Sequence, residues 1–310
     1  MAVGSEFKSS GITANTPKTV MLGAGTIHKG LTFAESAWNF EESLICATSG
    51  GSKLSIVPEF YDVPVDGALV NEVGELLYPV ISWKCPRTAE VMKRVAEYMP
   101  QAKLNSISGV GEFAFNTIYK LIWLKENRPE LLEQAHAWLF ISNILAHRLT
   151  GVMATDRTMA GTSQMTDLVT GDWSTEILAT LGIKKELFPP MVNAGDIIGT
   201  LTPAACELLG LPNAVPVVST GHDTQFALFG SGVQENQPFL SSGTWEILML
   251  RTAKASLETE DYAAGATVEY DSKAGLLNPG LQWIASGIIE WVKATCYNGE
   301  NCGNPQYCRD

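Results

Sequence analysis

Apolar residues recur with two different periods along this chain, and the order in which those periods alternate limits the folds open to it. In "TAEVMKRVAEYM" the positions Ala89, Met92, Val95, Ala96 and Met99 fall on one helical face. "NTIYKLIWLKENRPELLEQ" predicts a helix ending near Asn127, because Pro129 disfavours helical geometry at the residue before it, and a second helix that starts at the proline. "AWLFISNILAHRLTG" predicts a helix closed by Gly151, and "STEILATLG" one that Ser174 caps and Gly182 stops. Between residues 213 and 250 the period falls to two, in "AVPVVSTG" and "PFLSSGTWEILMLRT". Strands alternating with helices imply an α/β architecture, with helices packed on a sheet.

The chain can fill such a fold. Its 310 residues, 45% of them hydrophobic, suffice for one large domain or two ordinary ones. With 33 acids against 21 bases the net charge is -12, which argues against nucleic acid and anionic membrane surfaces as partners. A small neutral or cationic molecule fits better, or an anion held in a locally prepared pocket. No apolar run approaches the roughly 18 to 20 residues that cross a bilayer, and no basic stretch followed by a hydrophobic core opens the chain, so a cytoplasmic location is expected. Cys46, Cys85 and Cys206 are scattered, and Cys296, Cys302 and Cys308 crowd the tail without a CxxC pair, leaving any metal ligand set unknown.

The texture changes along the chain. Residues 1–16 are polar and non-periodic and read as a flexible terminus; 17–64 read as a β-rich unit, with the strand "KTVML", a "GAG" turn and a hairpin at Gly50–Gly51. Residues 294–310 lose both periods and form an irregular Cys-containing tail.

Chemistry concentrates in a few segments, each with two readings. In "GHDTQFALFGSG", Asp223 follows an apolar strand and precedes a helix; it serves either as the helix N-cap or as a general base that reaches a hydroxyl. In "LSSGTWEIL", Gly243 and Thr244 make either a plain hairpin turn or a loop whose small residues let backbone N–H groups approach a phosphate. In "VDGALVNEVGELLYPVISWKCPRT", Asp66, Trp83 and Arg87 offer the flat apolar face and charges that hold a sugar, or a core tryptophan with surface charges. "GAGT" at 23–26 lacks the GxxxxGK[ST] spacing of a P-loop and reads as a turn.

Taken together with "ISGVGEFAFNTIYKLIWLKEN", "HAWLFISNILAHRLTG", "TDRTMAGTSQMTD" and "NPGLQWIASGIIEWV", these segments, in this order from about Val65 to Lys293, resemble the FGGY carbohydrate kinases, and among them the kinases of ketoses such as L-fuculose. The resemblance implies an actin-like, ribonuclease-H-like α/β fold in which sugar and Mg-ATP meet between two domains. It implies that Asp223 is the base for the attacking sugar hydroxyl, and that Gly243 and Thr244 form a phosphate loop. Asp66, Trp83 and Arg87 would hold the sugar, while His222 orients the base, touches substrate or only packs. On this reading 65–218 is a fragment of the sugar-binding domain, and 219–293 the catalytic-base strand with the start of the ATPase domain.

The chain also departs from that pattern. Residues 20–30, "VMLGAGTIHKG", lack the acid of the family's DxGxT loop, and nothing after Lys293 resembles its adenosine-binding segment. The expected fold is therefore incomplete, its first strands replaced and most of the second domain missing, and the expected activity is that of a truncated, impaired kinase. Residues 1–64 resemble instead the start of a phage tail or virion structural protein, which makes the chain a composite. Two further readings stay open: a non-catalytic, vestigial sugar-binding fragment, and a chimeric assembly protein that self-associates through strand edges in 17–64. Light scattering separates the last: assembly through 17–64 predicts a higher oligomeric state for the full chain than for one starting at residue 65, and equal states would exclude it.

Overall fold

The structure is a computed structural model that describes residues 20–21, 67–81, 85–242, 245–285, 288 and 291–292. The Gly50–Gly51 hairpin, the "GAG" turn and the tail cysteines lie outside them. Strand β1 (Val20–Met21) falls within "KTVML" and runs parallel to a strand far along the chain, with Val20 opposite Val217 and Met21 opposite Val218.

Strand β2 (Gly67–Val70) is buried along its whole length. Helix α1 (Arg87–Lys93) then covers only part of the pattern read over 88–99: the backbone leaves helical geometry at Arg94, and a short 3-10 turn spans Val95–Glu97. The buried stripe is Thr88, Val91, Val95 and Met99, whereas Ala89 and Met92 are half-buried and Ala96 is exposed. The expected and observed stripes share Val95 and Met99 and differ by one step around the axis. Contact with α3 (Thr117–Asn127) selects the one that carries Val91. Between them lies α2 (Gln101–Ser108).

The break at Pro129 falls where the sequence predicts, with α3 ending at Asn127 and α4 running Pro129–Gln134. The next segment corrects the reading. Its first residues form strand β3 (Ala137–Phe140), antiparallel to β2 with Leu69 opposite Trp138 and Ala68 opposite Leu139. Only from Ile141 does helix α5 (Ile141–Thr150) begin, closed by Gly151 in the left-handed region at φ 76°. A short apolar run does not distinguish strand from helix by period; the partner edge offered by β2 does.

The β2–β3 ribbon divides two cores. Ala68, Val70, Ala137 and Leu139 face one, filled by Ile144, Leu145, Leu149 and Val217. Leu69, Trp138 and Phe140 face the other, filled by Leu104, Ile118, Leu121 and Ile122. Gly67 is required at the ribbon's start, because a Cβ there would stand 2.7 Å from the Leu139 carbonyl oxygen and 2.8 Å from the Trp138 ring.

Short elements follow. Strand β4 (Thr155–Asp156) leads into α6 (Arg157–Gly161), and β5 (Thr166–Asp167) pairs with β6 (Asp172–Trp173). Helix α7 (Thr175–Leu181) keeps the expected ends: Ser174 Oγ accepts from Ile177 N at 3.3 Å, and Gly182 sits at φ 65°. Strand β7 (Met191–Val192) runs parallel to β4. Strand β8 (Ile197–Thr200), helix α8 (Pro203–Leu209) and strand β9 (Pro216–Val218) complete the first body, β9 lying between β1 and β8.

Helix α9 (Asp223–Gly230) connects it to an antiparallel sheet of order β10-β11-β13-β12, built from Pro238–Ser242, Trp245–Leu250, Leu277–Ile284 and Ala266–Tyr270. One face of this sheet buries Met249; the other leaves the row Leu240, Leu248 and Leu281 exposed. A buried pair, Arg251 with Asp271 at 2.7 and 3.0 Å, anchors the end of β11. Among the described residues no helix is long and apolar enough to cross a membrane.

Leu121 is fully buried in the second core, whereas Val169 is 94% exposed. Leu121→Ala should cost about 2–5 kcal/mol in urea unfolding, and Val169→Ala less than about 0.5 kcal/mol. Equal shifts in the two variants would contradict the core assignment.

Candidate functional site

Asp223 stands at the first position of α9, directly after the apolar strand β9 and the segment Ser219–His222. It is not the cap. That role falls to His222, whose backbone is extended and whose ring Nδ1 accepts from Thr224 N at 3.3 Å. In a neutral ring this places the proton on Nε2, so the 3.4 Å approach of Nδ1 to Asp223 Oδ1 becomes an ion pair only when the ring is protonated. Asp223 Oδ1 accepts from Thr224 N at 2.8 Å, and the Asp223 side chain is 41% exposed.

The segment before Asp223 is held by a buried acid that the sequence reading did not single out. Asp156 is fully buried and caps α6, accepting from Thr158 N at 2.8 Å and Met159 N at 3.2 Å on Oδ1. The same oxygen accepts from the Thr158 hydroxyl, and Oδ2 accepts from Ser219 Oγ at 2.9 Å. Burial pushes the Asp156 carboxyl above its ordinary range, while these hydrogen bonds pull it back. With its proton given to Asp156, Thr158 Oγ1 is an acceptor, and the His222 backbone N–H donates to it at 2.8 Å. Gly221 lies flat against the pair: a Cβ would fall 1.9 Å from Asp156 Oδ1 and 2.0 Å from Thr158 Oγ1.

From its other side α9 is tied to the four-stranded sheet. Gln225, fully buried, donates through Nε2 to Glu269 Oε2 at 2.7 Å and accepts at Oε1 from Asn278 Nδ2. The loop before α3 also reaches this sheet, since Gly109 O accepts from Val268 N at 2.6 Å and Phe115 meets Trp245 edge-on at 6.2 Å. Asp223 thus sits where the first body and the sheet meet.

The other expected site residues are distributed as follows. Asp66 and Trp83 lie outside the described residues, as do Gly243 and Thr244. In sequence these last two fall between β10 and β11, which pair antiparallel with Ser242 opposite Glu246. Arg87 stacks on the Trp123 ring at 4.5 Å and donates to Cys85 Sγ at 2.8 Å and Tyr78 Oη at 3.2 Å. These contacts belong to the helical layer of α1 and α3 and do not join Arg87 to Asp223. His222 is buried. Among the described residues no group of three or more His, Cys, Asp or Glu side chains could hold a metal ion.

Sequence reasoning missed Asp156, Thr158, Ser219 and Gln225. The segment "TDRTMAGT" carries a signal for two of them: Asp and Thr two residues apart at a strand end make a capping pattern. Their partners come from far along the chain.

Residues 63–230 match the family described as "FGGY family of carbohydrate kinases, N-terminal domain". The chain is 58% identical over 236 residues to L-fuculokinase of Escherichia coli (strain K12), covering 76% of this chain and 50% of that one. It is 49% identical over 228 residues to L-fuculokinase of Haemophilus influenzae, with 74% and 48% covered. Among solved structures it resembles xylulose kinase from Lactobacillus acidophilus, with a TM-score of 0.69 and 22% identity over 76% of this chain and 48% of that one. Glycerol kinase from Plasmodium falciparum gives a TM-score of 0.66 at 17% identity, with 83% and 53% covered. The chain spans about half the length of the curated relatives it matches.

Gly221→Ala tests the close approach at the heart of the site. The added methyl meets two buried, hydrogen-bonded oxygens rather than a flexible side-chain end, so unfolding stability should fall by about 1–3 kcal/mol. A variant as stable as the parent in thermal and urea denaturation would show that Ser219–His222 does not press on Asp156.

Proposed function

The chain belongs to the FGGY family of carbohydrate kinases, and we propose that it carries the sugar-binding and base-bearing part of a kinase that phosphorylates a ketose such as L-fuculose, with ATP as donor and Asp223 as base. The fold is that of actin-like sugar kinases, and the reading is supported by Asp223 following the turn held by Asp156 and preceding Gln225, which bonds to the four-stranded sheet.

The observation that carries the reading is the contrast between the two acids near the turn. Asp156 is buried, and both of its oxygens already accept from protein donors. Asp223 is 41% exposed at the junction, so its carboxylate is the one that a substrate hydroxyl can reach. Phosphoryl transfer asks a protein mainly to position the hydroxyl and neutralise charge, and a base at the end of a buried strand supplies the first. Gly243 and Thr244, between β10 and β11 in sequence, are the proposed phosphate loop, and Asp66, Trp83 and Arg87 the proposed sugar contacts.

Magnesium would accompany the phosphates. Such ions keep several waters and bind through substrate phosphates more than through dedicated protein cages. No step of the chemistry is assigned to it.

A coupled assay with L-fuculose and Mg-ATP, run beside Asp223→Asn, tests the proposal. Loss of the base should lower kcat by about 10²- to 10⁴-fold. Turnover that survives the substitution would remove Asp223 from the mechanism. Calorimetry showing a heat for sugar and none for nucleotide would replace the kinase by a sugar-binding protein.

A further inference from the structure

We infer that Asp156 and Thr158 are positioning residues for Asp223: they set the path of the turn Ser219–His222 and so the place from which the base meets the sugar hydroxyl. This rests on the reading of Asp223 as that base. The mechanism does not otherwise use Asp156, although it is a fully buried acid with donors on both oxygens.

The geometry works as a relay of hydrogen-bond polarity. As a carboxylate Asp156 only accepts, so the Thr158 hydroxyl, in contact with Oδ1, points its proton there. That leaves the Thr158 oxygen free to accept, and the only described donor that faces it from the turn is the His222 backbone N–H, at 2.8 Å. One residue further on, the backbone becomes Asp223. At the near end of the turn Ser219 is tied to the other oxygen of the same carboxylate at 2.9 Å. Between these two tethers Gly221 touches both Asp156 and Thr158, closer than any residue with a Cβ could. The turn is therefore gripped at Ser219, Gly221 and His222 by one buried pair, and its exit is the base.

The grip acts on residues 219–222, before α9 begins, whereas Gln225 within the helix makes the attachment to Glu269 and Asn278 in the sheet. Without the Thr158 hydroxyl the His222 N–H loses its partner in a buried site, and the first turn of α9 can shift by a fraction of an ångström. Such misplacement affects a transfer step far more than it affects binding of the sugar.

Thr158→Val removes the hydroxyl and keeps the shape, while Thr158→Ser restores it. Amide hydrogen exchange over residues 219–226 of the full chain is the first readout, and it requires no turnover. The His222 amide should exchange at least about tenfold faster in Thr158→Val and at the parental rate in Thr158→Ser, with other core amides unchanged. An unaltered His222 rate in Thr158→Val would overturn the inference. The second readout is kinetic, with L-fuculose and Mg-ATP: Thr158→Val should lower kcat about 10- to 100-fold with KM within about twofold, and Thr158→Ser should recover it. A parental kcat in Thr158→Val would equally overturn it. Asp223→Asn in the same series separates the two ideas, because an active Asp223→Asn refutes the base while leaving the exchange result to judge the turn. Should the parent not turn over, the exchange result decides alone. Should Thr158→Val not fold, Ser219→Ala releases the near tether and is expected to speed exchange at residues 219–222; no change there would count against the grip.

Discussion

Everything in the first body is arranged around a two-stranded ribbon buried on both faces. Strands usually present one face to a core and the other to solvent, but β2 and β3 alternate Ala68, Val70, Ala137 and Leu139 to one side with Leu69, Trp138 and Phe140 to the other. The helices have no freedom to choose another partner: α5 and α8 close one core, and α1, α3 and α7 close the other. Because backbone polar groups inside such a wall must pair with each other, a slip of register by one residue would exchange the two faces and leave neither core filled. The register in turn sets where the chain re-emerges at α5 and β4, and hence where Asp156 is held.

A second consequence concerns the connection between the two units. Helix α9 is short and mostly apolar, and little in its own sequence would fix its direction. Its N-terminal end is fixed by two sets of buried polar contacts: Thr158 and Asp156 engage the turn before it, and Gln225 in its first turn reaches Glu269 and Asn278 in the sheet. Buried polar groups are costly when unpartnered and specific when satisfied, so such contacts define one arrangement where apolar packing alone would allow several. Strand β1 adds to this frame by pairing with β9, the strand that delivers the turn.

Much of the local structure was legible in the residues. The break at Pro129, the Ser174 cap and the glycine ends at 151 and 182 follow from short-range sterics and hydrogen bonding, and they stand where those rules place them. The reading went astray where two local answers were nearly equal in merit. "AWLF" suits a buried strand or a helical turn, and the 88–99 segment carries two overlapping apolar stripes; in both, a partner distant in sequence made the choice. The candidate site was legible in the same measure. Asp223 stood out for its place between strand and helix, yet its role as cap fell to His222, whose ring nitrogen reaches the Thr224 amide.

By itself, the sequence determined what each segment could become and which carboxylate follows the buried strand, because propensity, capping and proline geometry act within a few residues. Only the tertiary structure decided which acid is enclosed and which is accessible. Asp156 and Ser219, 63 residues apart, or Gln225 and Glu269, 44 apart, become neighbours only when the chain is folded, since hydrogen bonds form over about three ångströms of space whatever the separation in sequence.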